Sequence, residues 1–140
     1  MPYEQEIPPY GDLPEPPKEM DALARTVIGI GIEVHRELGP GLPEEAYEGA
    51  MCVEFDSRGI LYERQKLVEI VYKGVVVAKG RIDLLVEGKL IVEVKSCDTL
   101  IAVHRMQVIA YLKIIKQMLG LLMNFNVPVL KDGIRRVICS

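Results

Sequence analysis

"IDLLVEGKLIVEVK", Ile82 to Lys95, reads as the buried centre of a β-sheet. Eight of these residues are aliphatic, and they fall in two runs on either side of Glu87-Gly88-Lys89. Short branched or leucine-rich runs joined by a glycine turn are the signature of paired strands. Yet Asp83, Glu93 and Lys95 stand inside those runs, where burying a charge is expensive.

Alternation along a strand puts Glu93 and Lys95 on one face and Leu90, Val92 and Val94 on the other. Asp83 meets Glu93 only in the right register. A two-residue turn at Glu87-Gly88 sets Asp83 opposite Val92, and Glu93 then faces away. A three-residue loop, with Gly88 in a left-handed bulge, restores the match. Two carboxylates brought together in an apolar sheet repel, and one pKa rises. A divalent cation removes that penalty, and a few oxygen ligands with room for water suit Mg²⁺ or Mn²⁺. Such an ion polarises a phosphoryl oxygen and activates water. Lys95 is placed to orient that water or to balance developing charge. Spacing alone favours a plainer arrangement, with the acids at strand ends or on a solvated face and Lys95 as their ion-pair partner, since Asp and Glu-x-Lys at this distance recur by chance.

Working outward, residues 1–17 hold six of the nine prolines of the 140-residue chain. Proline fixes φ and lacks a donor, so an extended or disordered arm is expected over 1–17 and one domain over 18–140. From Lys18 to about Glu37, Met20, Leu23, Ala24, Val27, Ile30 and Val34 recur at helical spacing. "LGPG" breaks that helix, and a second helix runs from Pro43 to Arg58 with Gly59 as its cap. "ILYER" and "LVEIVY" read as short strands, and "YKGVVV" as a hairpin. A third helix is expected over about Leu100–Gln117, with Val103, Met106, Ala110, Ile114 and Met118 as its apolar side. "GLLMNF" and "GIRRVI" supply further strands. Helices before and among strands imply an α/β or α+β fold with helices packed on a mixed sheet.

Hydrophobic residues are 49%, the formal net charge is -3 and the pI is 5.5. Such a balance disfavours nucleic-acid binding by bulk charge, but an acidic metal site lowers net charge by itself. Cys52, Cys97 and Cys139 are odd in number and widely spaced, which excludes a disulfide framework or a zinc cluster. No signal pattern is present and no apolar run approaches the ~20 residues of a membrane span. A cytoplasmic setting with no membrane partner is expected.

Glu44 and Glu48 lie one helical turn apart, and first-turn acids ordinarily serve the helix dipole. Gln107 and Tyr111 share a face of the third helix, with His104 three residues before Gln107. In isolation they are a polar edge. His35 before the Gly-Pro-Gly turn suits a structural hydrogen bond, and Asn124 and Asn126 suit a strand-end turn.

"GLPEEAY", Gly41–Tyr47, fits Gly-x-x-Glu-x-x-Tyr and follows "HRELGP". "IDLLVEGKLIVEVK", "QVIAY" and "LLMNFNVPVLKDGIRR" follow in order. Over about Val27 to Ile138 the chain resembles the GxxExxY protein family, placed in the PD-(D/E)XK nuclease superfamily. The resemblance implies a restriction-endonuclease-like core, a central mixed sheet flanked by helices. It matches Asp83 to the aspartate of the motif, Glu93-Val94-Lys95 to (D/E)XK, Glu44 to the acid of the first core helix, and Gln107 to Tyr111 to QxxxY. Ile82 stands where the superfamily's name has proline.

What it implies chemically is a Mg²⁺- or Mn²⁺-dependent nuclease, with DNA as the first substrate to test. Asp83, Glu93 and Glu44 would be metal ligands, and Asp83, Glu93, Lys95 and Gln107 the catalytic group. Tyr111, Arg81, His104 and Arg135 would contact substrate, with Lys131 and Arg136 as further phosphate candidates. The alternative is a catalytically silent nucleic-acid-binding or protein-interaction module on the same fold. A homodimer is one way to supply a DNA surface that the monomer's sequence does not display.

Overall fold

A computed structural model describes residues 16–139. Most of the expected proline-rich arm, residues 1–15, lies outside the described residues. The elements are helix α1 (Lys18–Leu38), helix α2 (Glu44–Arg58), strands β1 (Tyr62–Tyr72), β2 (Val75–Val86) and β3 (Leu90–Lys95), helix α3 (Ala102–Ile115), strand β4 (Leu119–Asn124), a short 3₁₀ turn (Leu130–Gly133) and strand β5 (Ile134–Ile138).

The five strands form one sheet in chain order, β1-β2-β3-β4-β5. All neighbours are antiparallel except β3 and β4, which run parallel because α3 carries the chain back between them. This is the α+β architecture expected for a restriction-endonuclease-like core.

Alternation along the strands builds two cores. Leu90, Val92 and Val94 of β3 and Leu119, Leu121 and Met123 of β4 face α1 and α2, meeting Val27, Ile30, Tyr47, Met51 and Phe55. Ile91, Leu122 and Val137 face α3, meeting Val108 and Leu112. Each fully buried aliphatic or aromatic side chain contributes roughly 1.5–3 kcal/mol.

Gly59 caps α2 in the left-handed region, at φ 68° and ψ 25°. Tyr47 stacks on Phe125 at 4.5 Å. Its hydroxyl donates to Gly39 O at 2.6 Å and accepts Leu42 N–H at 3.0 Å. The tyrosine of "GLPEEAY" therefore pins the turn between α1 and α2. Ser96 Oγ ties the same turn to the end of β3 by donating to Leu42 O at 2.7 Å. The start of α2 is thereby held over the end of β3. His35 Nε2 donates to Val127 O at 2.8 Å, the structural bond its position suggested.

Two expectations needed correction. "ILYER" and "LVEIVY" are one strand of eleven residues, because Gln65 absorbs the irregularity between them with φ 53°. And α3 buries Val108 and Leu112, whereas Val103, Met106, Ala110 and Ile114 are exposed, as is Met118 beyond the helix end. The helix is apolar on more than one side. Its periodicity admitted both stripes, and the flat α3 face of the sheet selected the one that fits over Ile91 and Gly120.

Candidate active site

The loop between β2 and β3 has three residues. Val86 pairs with Leu90, Leu85 with Ile91 and Leu84 with Val92. Glu87 and Gly88 both sit in the left-handed region, at φ 54° and 67°, and Lys89 N–H donates to Val86 O at 3.0 Å. Lys89 is the extra residue that completes the loop. The same register carries Asp83 opposite Glu93, as a metal-binding pair requires.

Regular pairing of β2 with β3 stops at Leu84 and Val92. Beyond it, β2 continues with β1 as a separate ribbon, while β3 stays with β4. Asp83 sits at the parting. Its Oδ2 accepts the Val94 N–H at 2.9 Å, so a side chain replaces the missing ladder bond. Its Oδ1 accepts Gln65 Nε2 at 3.4 Å.

Glu93 is 3% exposed, and its Oε1 is buried without any hydrogen-bond partner. Burial first, then the charge of Asp83 and a hydrogen bond to it, push the Glu93 carboxyl up to about 9; Lys95 pulls it the other way. Without a cation, that shift keeps Glu93 protonated at neutral pH. Lys95 is half-buried on the same side of β3, and its charge also reaches Cys97 and His104.

Gln65 joins this pair to α2. Its Nε2 donates to both oxygens of Glu48, at 2.9 and 3.0 Å, as well as to Asp83. Carboxylates accept only, which assigns the amide nitrogen to that side. Glu48 is 5% exposed and also takes Arg64 Nε at 2.7 Å. Glu44 is exposed, yet it lines the same cleft as Glu48, Gln65, Arg81 and Asp83. Its charge is felt at Cys97 and His104, on the Lys95 side. Glu48, read from the sequence only as a helix-dipole acid, and Gln65, which the sequence did not single out, also line this cleft. The i, i+4 spacing from Glu44 was the signal for Glu48; nothing in the sequence marked Gln65.

The remaining candidates divide. Tyr111 packs against Gly80, where an added Cβ would lie 2.7 Å from the ring, and its hydroxyl accepts the Arg81 N–H at 3.4 Å. Gln107 is exposed one turn earlier on the same face of α3. His104 closes the start of α3: its Nδ1 accepts Ile101 N–H at 3.1 Å, and its backbone N–H donates to Ile101 O at 3.0 Å. Burial, then Lys95, lowers its pKa.

Arg135 is placed otherwise than a phosphate contact requires. It is 6% exposed, and its guanidinium donates to Asp132 O at 2.8 Å and Ile134 O at 2.9 Å, because the tight 3₁₀ turn before β5 leaves carbonyls to satisfy. Arg136 pairs with Asp21 of α1. Lys131 lines a different cleft, with His35 and Arg36.

No group of three or more His, Cys, Asp or Glu among the described residues is close enough to hold a metal ion. The Asp83–Glu93 pair nevertheless fits a small hard cation. It offers two oxygen donors, one of them an orphaned buried atom, and Mg²⁺ usually keeps several waters beside one or two carboxylates.

The fold and this carboxylate pair followed by a lysine define a nuclease-type α+β domain. The sequence profile of the PD-(D/E)XK nuclease superfamily matches residues 21–137, and the chain belongs to that superfamily. Nuclease activity is the activity this membership suggests, and superfamily members generally use divalent metals. No curated protein and no solved structure matches the chain. No helix among the described residues is long and apolar enough to cross a membrane.

Proposed function

We propose that this chain is a Mg²⁺- or Mn²⁺-dependent nuclease that hydrolyses phosphodiester bonds, with DNA as its substrate, and that it falls within the GxxExxY group of its superfamily. Residues 18–140 act as one catalytic domain in a cytoplasmic setting. The observation that carries this reading is the meeting of Asp83 and Glu93 at the β2–β3 parting, with Glu93 Oε1 buried and unsatisfied.

Asp83 and Glu93 would hold the ion, with Glu44 and Glu48 as further carboxylates on the α2 side of the same cleft. When bound, the ion supplies Lewis-acid polarisation of a phosphoryl oxygen and an acidified water. Glu93 would hold the ion as its carboxylate, the form that a nearby cation favours. Lys95, on the Glu93 side of β3, orients the attacking water and offsets charge that develops on the phosphate. Gln107 and Tyr111 line the approach along α3, and Arg81 at the cleft rim contacts a flanking phosphate.

The silent-module alternative draws on the lack of a third close donor among the described residues. Calorimetric titration with Mg²⁺ and Mn²⁺ separates the two. The nuclease reading expects binding to the wild type that is lost in both Asp83→Asn and Glu93→Gln. Wild-type protein that binds neither ion would leave only the silent module. With binding established, cleavage of single-stranded, duplex and branched DNA and RNA identifies the substrate.

A further inference from the structure

The acidic composition hides a strong asymmetry. Helix α2 carries Glu44, Glu45, Glu48, Glu54 and Asp56 against Arg58 alone. On the β1–β2 ribbon, by contrast, Arg64, Lys66, Lys73, Lys79 and Arg81 stand against Glu63, Glu69 and Asp83, Lys66 pairing with Glu63, and from Lys66 to Arg81 Glu69 is the one acid. Helix α3 and its cap, residues 102–116, contain Arg105, Lys113 and Lys116 and no acid at all. These two cationic elements are packed together: Val68 of the ribbon joins the core under α3, and Tyr111 seats against Gly80.

The ribbon also projects. β1 is an edge strand, and β2 has no partner on its other side before Leu84. Leu67, Val71, Tyr72, Val75, Val76 and Val77 are between 45% and 63% exposed along it. Scattered exposed aliphatics need no explanation, but six within eleven residues mark an interaction surface. Apolar area alone would suit a second copy of the chain. Charge decides against that occupant, because a two-fold interface here would set each ribbon's cations against the same cations of its partner. A polyanion meets the same surface with complementary charge. A two-stranded ribbon is an element that enters a duplex groove, its basic side chains on phosphates and its apolar tip against bases or sugars.

We propose that the β1–β2 ribbon, with the adjoining face of α3, grips the backbone of duplex DNA and delivers it to the cleft rimmed by Arg81 and Asp83. This rests on the nuclease reading above, and it names the element that supplies the cationic surface the whole-chain charge concealed.

The test is fluorescence anisotropy of a labelled DNA duplex with the full chain, in EDTA to suppress cleavage, over a series of NaCl concentrations. Lys73→Gln with Lys79→Gln removes two ribbon charges, and Lys18→Gln with Lys89→Gln removes two exposed charges elsewhere. Each lost phosphate contact lowers the slope of log affinity against log salt by about 0.9. The ribbon double variant is therefore expected to lose about 1.8 from the slope, while the control pair keeps it and both retain the wild-type melting temperature. An unchanged slope in the ribbon variant, or an equal loss in the control, overturns the proposal. So does a dimer in sedimentation velocity that dissociates on Val71→Lys, since the ribbon would then be spent on a second copy. Metal titration of the ribbon variant keeps the two readings apart. Metal binding and cleavage with an unaffected salt slope sink the ribbon alone, and duplex binding by a chain that takes up no metal sinks the nuclease alone.

Discussion

Replacing Glu93 by Gln should abolish a pH dependence that the metal-free protein carries almost alone at this site. The Glu93 carboxyl is raised to about 9 from an ordinary 4.5, chiefly by burial and then by Asp83. The folded state therefore binds a proton that the unfolded chain releases, and stability falls as pH rises through that window. The contribution is fully present below the unfolded value and is lost on the approach to pH 9. One pH unit inside the window is worth about 1.4 kcal/mol, so from pH 5 to pH 8 the wild type would lose up to ~4 kcal/mol. That is a large share of the 5–15 kcal/mol typical of a domain. Gln keeps the shape without the ionisation. Urea denaturation in EDTA at steps between pH 5 and pH 9 measures both proteins, and their difference cancels every other titrating group. Mg²⁺ replaces the proton, so its addition at pH 8 should restore wild-type stability and leave Glu93→Gln unmoved. Parallel pH profiles for wild type and Glu93→Gln would refute a buried Glu93 that keeps its proton at neutral pH.

Gln65→Leu strips two bonds from buried Glu48 and one from Asp83, and should cost about 1–3 kcal/mol in chemical denaturation. It should weaken Mn²⁺ binding at the same time, read by calorimetry, because Asp83 loses the amide that orients it. Tyr47→Phe keeps the Phe125 stack but frees Gly39 O and Leu42 N–H, and a loss of about 1–2 kcal/mol is expected, read as a lower melting temperature. Gly80→Ala drives a Cβ to within 2.7 Å of the Tyr111 ring, so about 1–3 kcal/mol should be lost in chemical denaturation, and a double-mutant cycle with Tyr111→Ala should show a loss smaller than the sum of the two single losses.

The elements were legible because each has a local cause. Period-2 and period-3.6 patterns separated strands from helices, and glycine-containing turns marked the joints at Gly59, Gly74 and Gly88. "IDLLVEGKLIVEVK" even stated its own condition, since only a three-residue loop puts Asp83 and Glu93 on one side, and the Val86–Leu90 pairing meets it. What stayed hidden depends on contacts between residues far apart in the chain. The face of α3 was ambiguous because that helix is apolar on more than one side, and only the shape of the sheet beneath it chose Val108 and Leu112. Glu48 and Glu44 were equivalent by spacing, until Arg64 and Gln65 of a neighbouring strand paired with one of them. Arg135 was a surface cation on paper and became a buried anchor for its own turn. Charge followed the same rule. Composition reports only the sum of -3; segment by segment the sequence separates the acids of α2 from the bases of Lys66–Arg81 and of α3, and the tertiary structure packs those two basic segments together. By itself, then, the sequence determined which segments form strands and helices and that Asp83, Glu93 and Lys95 could meet, because periodicity and turn length act between near neighbours. The tertiary structure alone decided which acids are buried and that the two basic segments lie side by side, because burial and pairing are set by whatever the fold brings alongside.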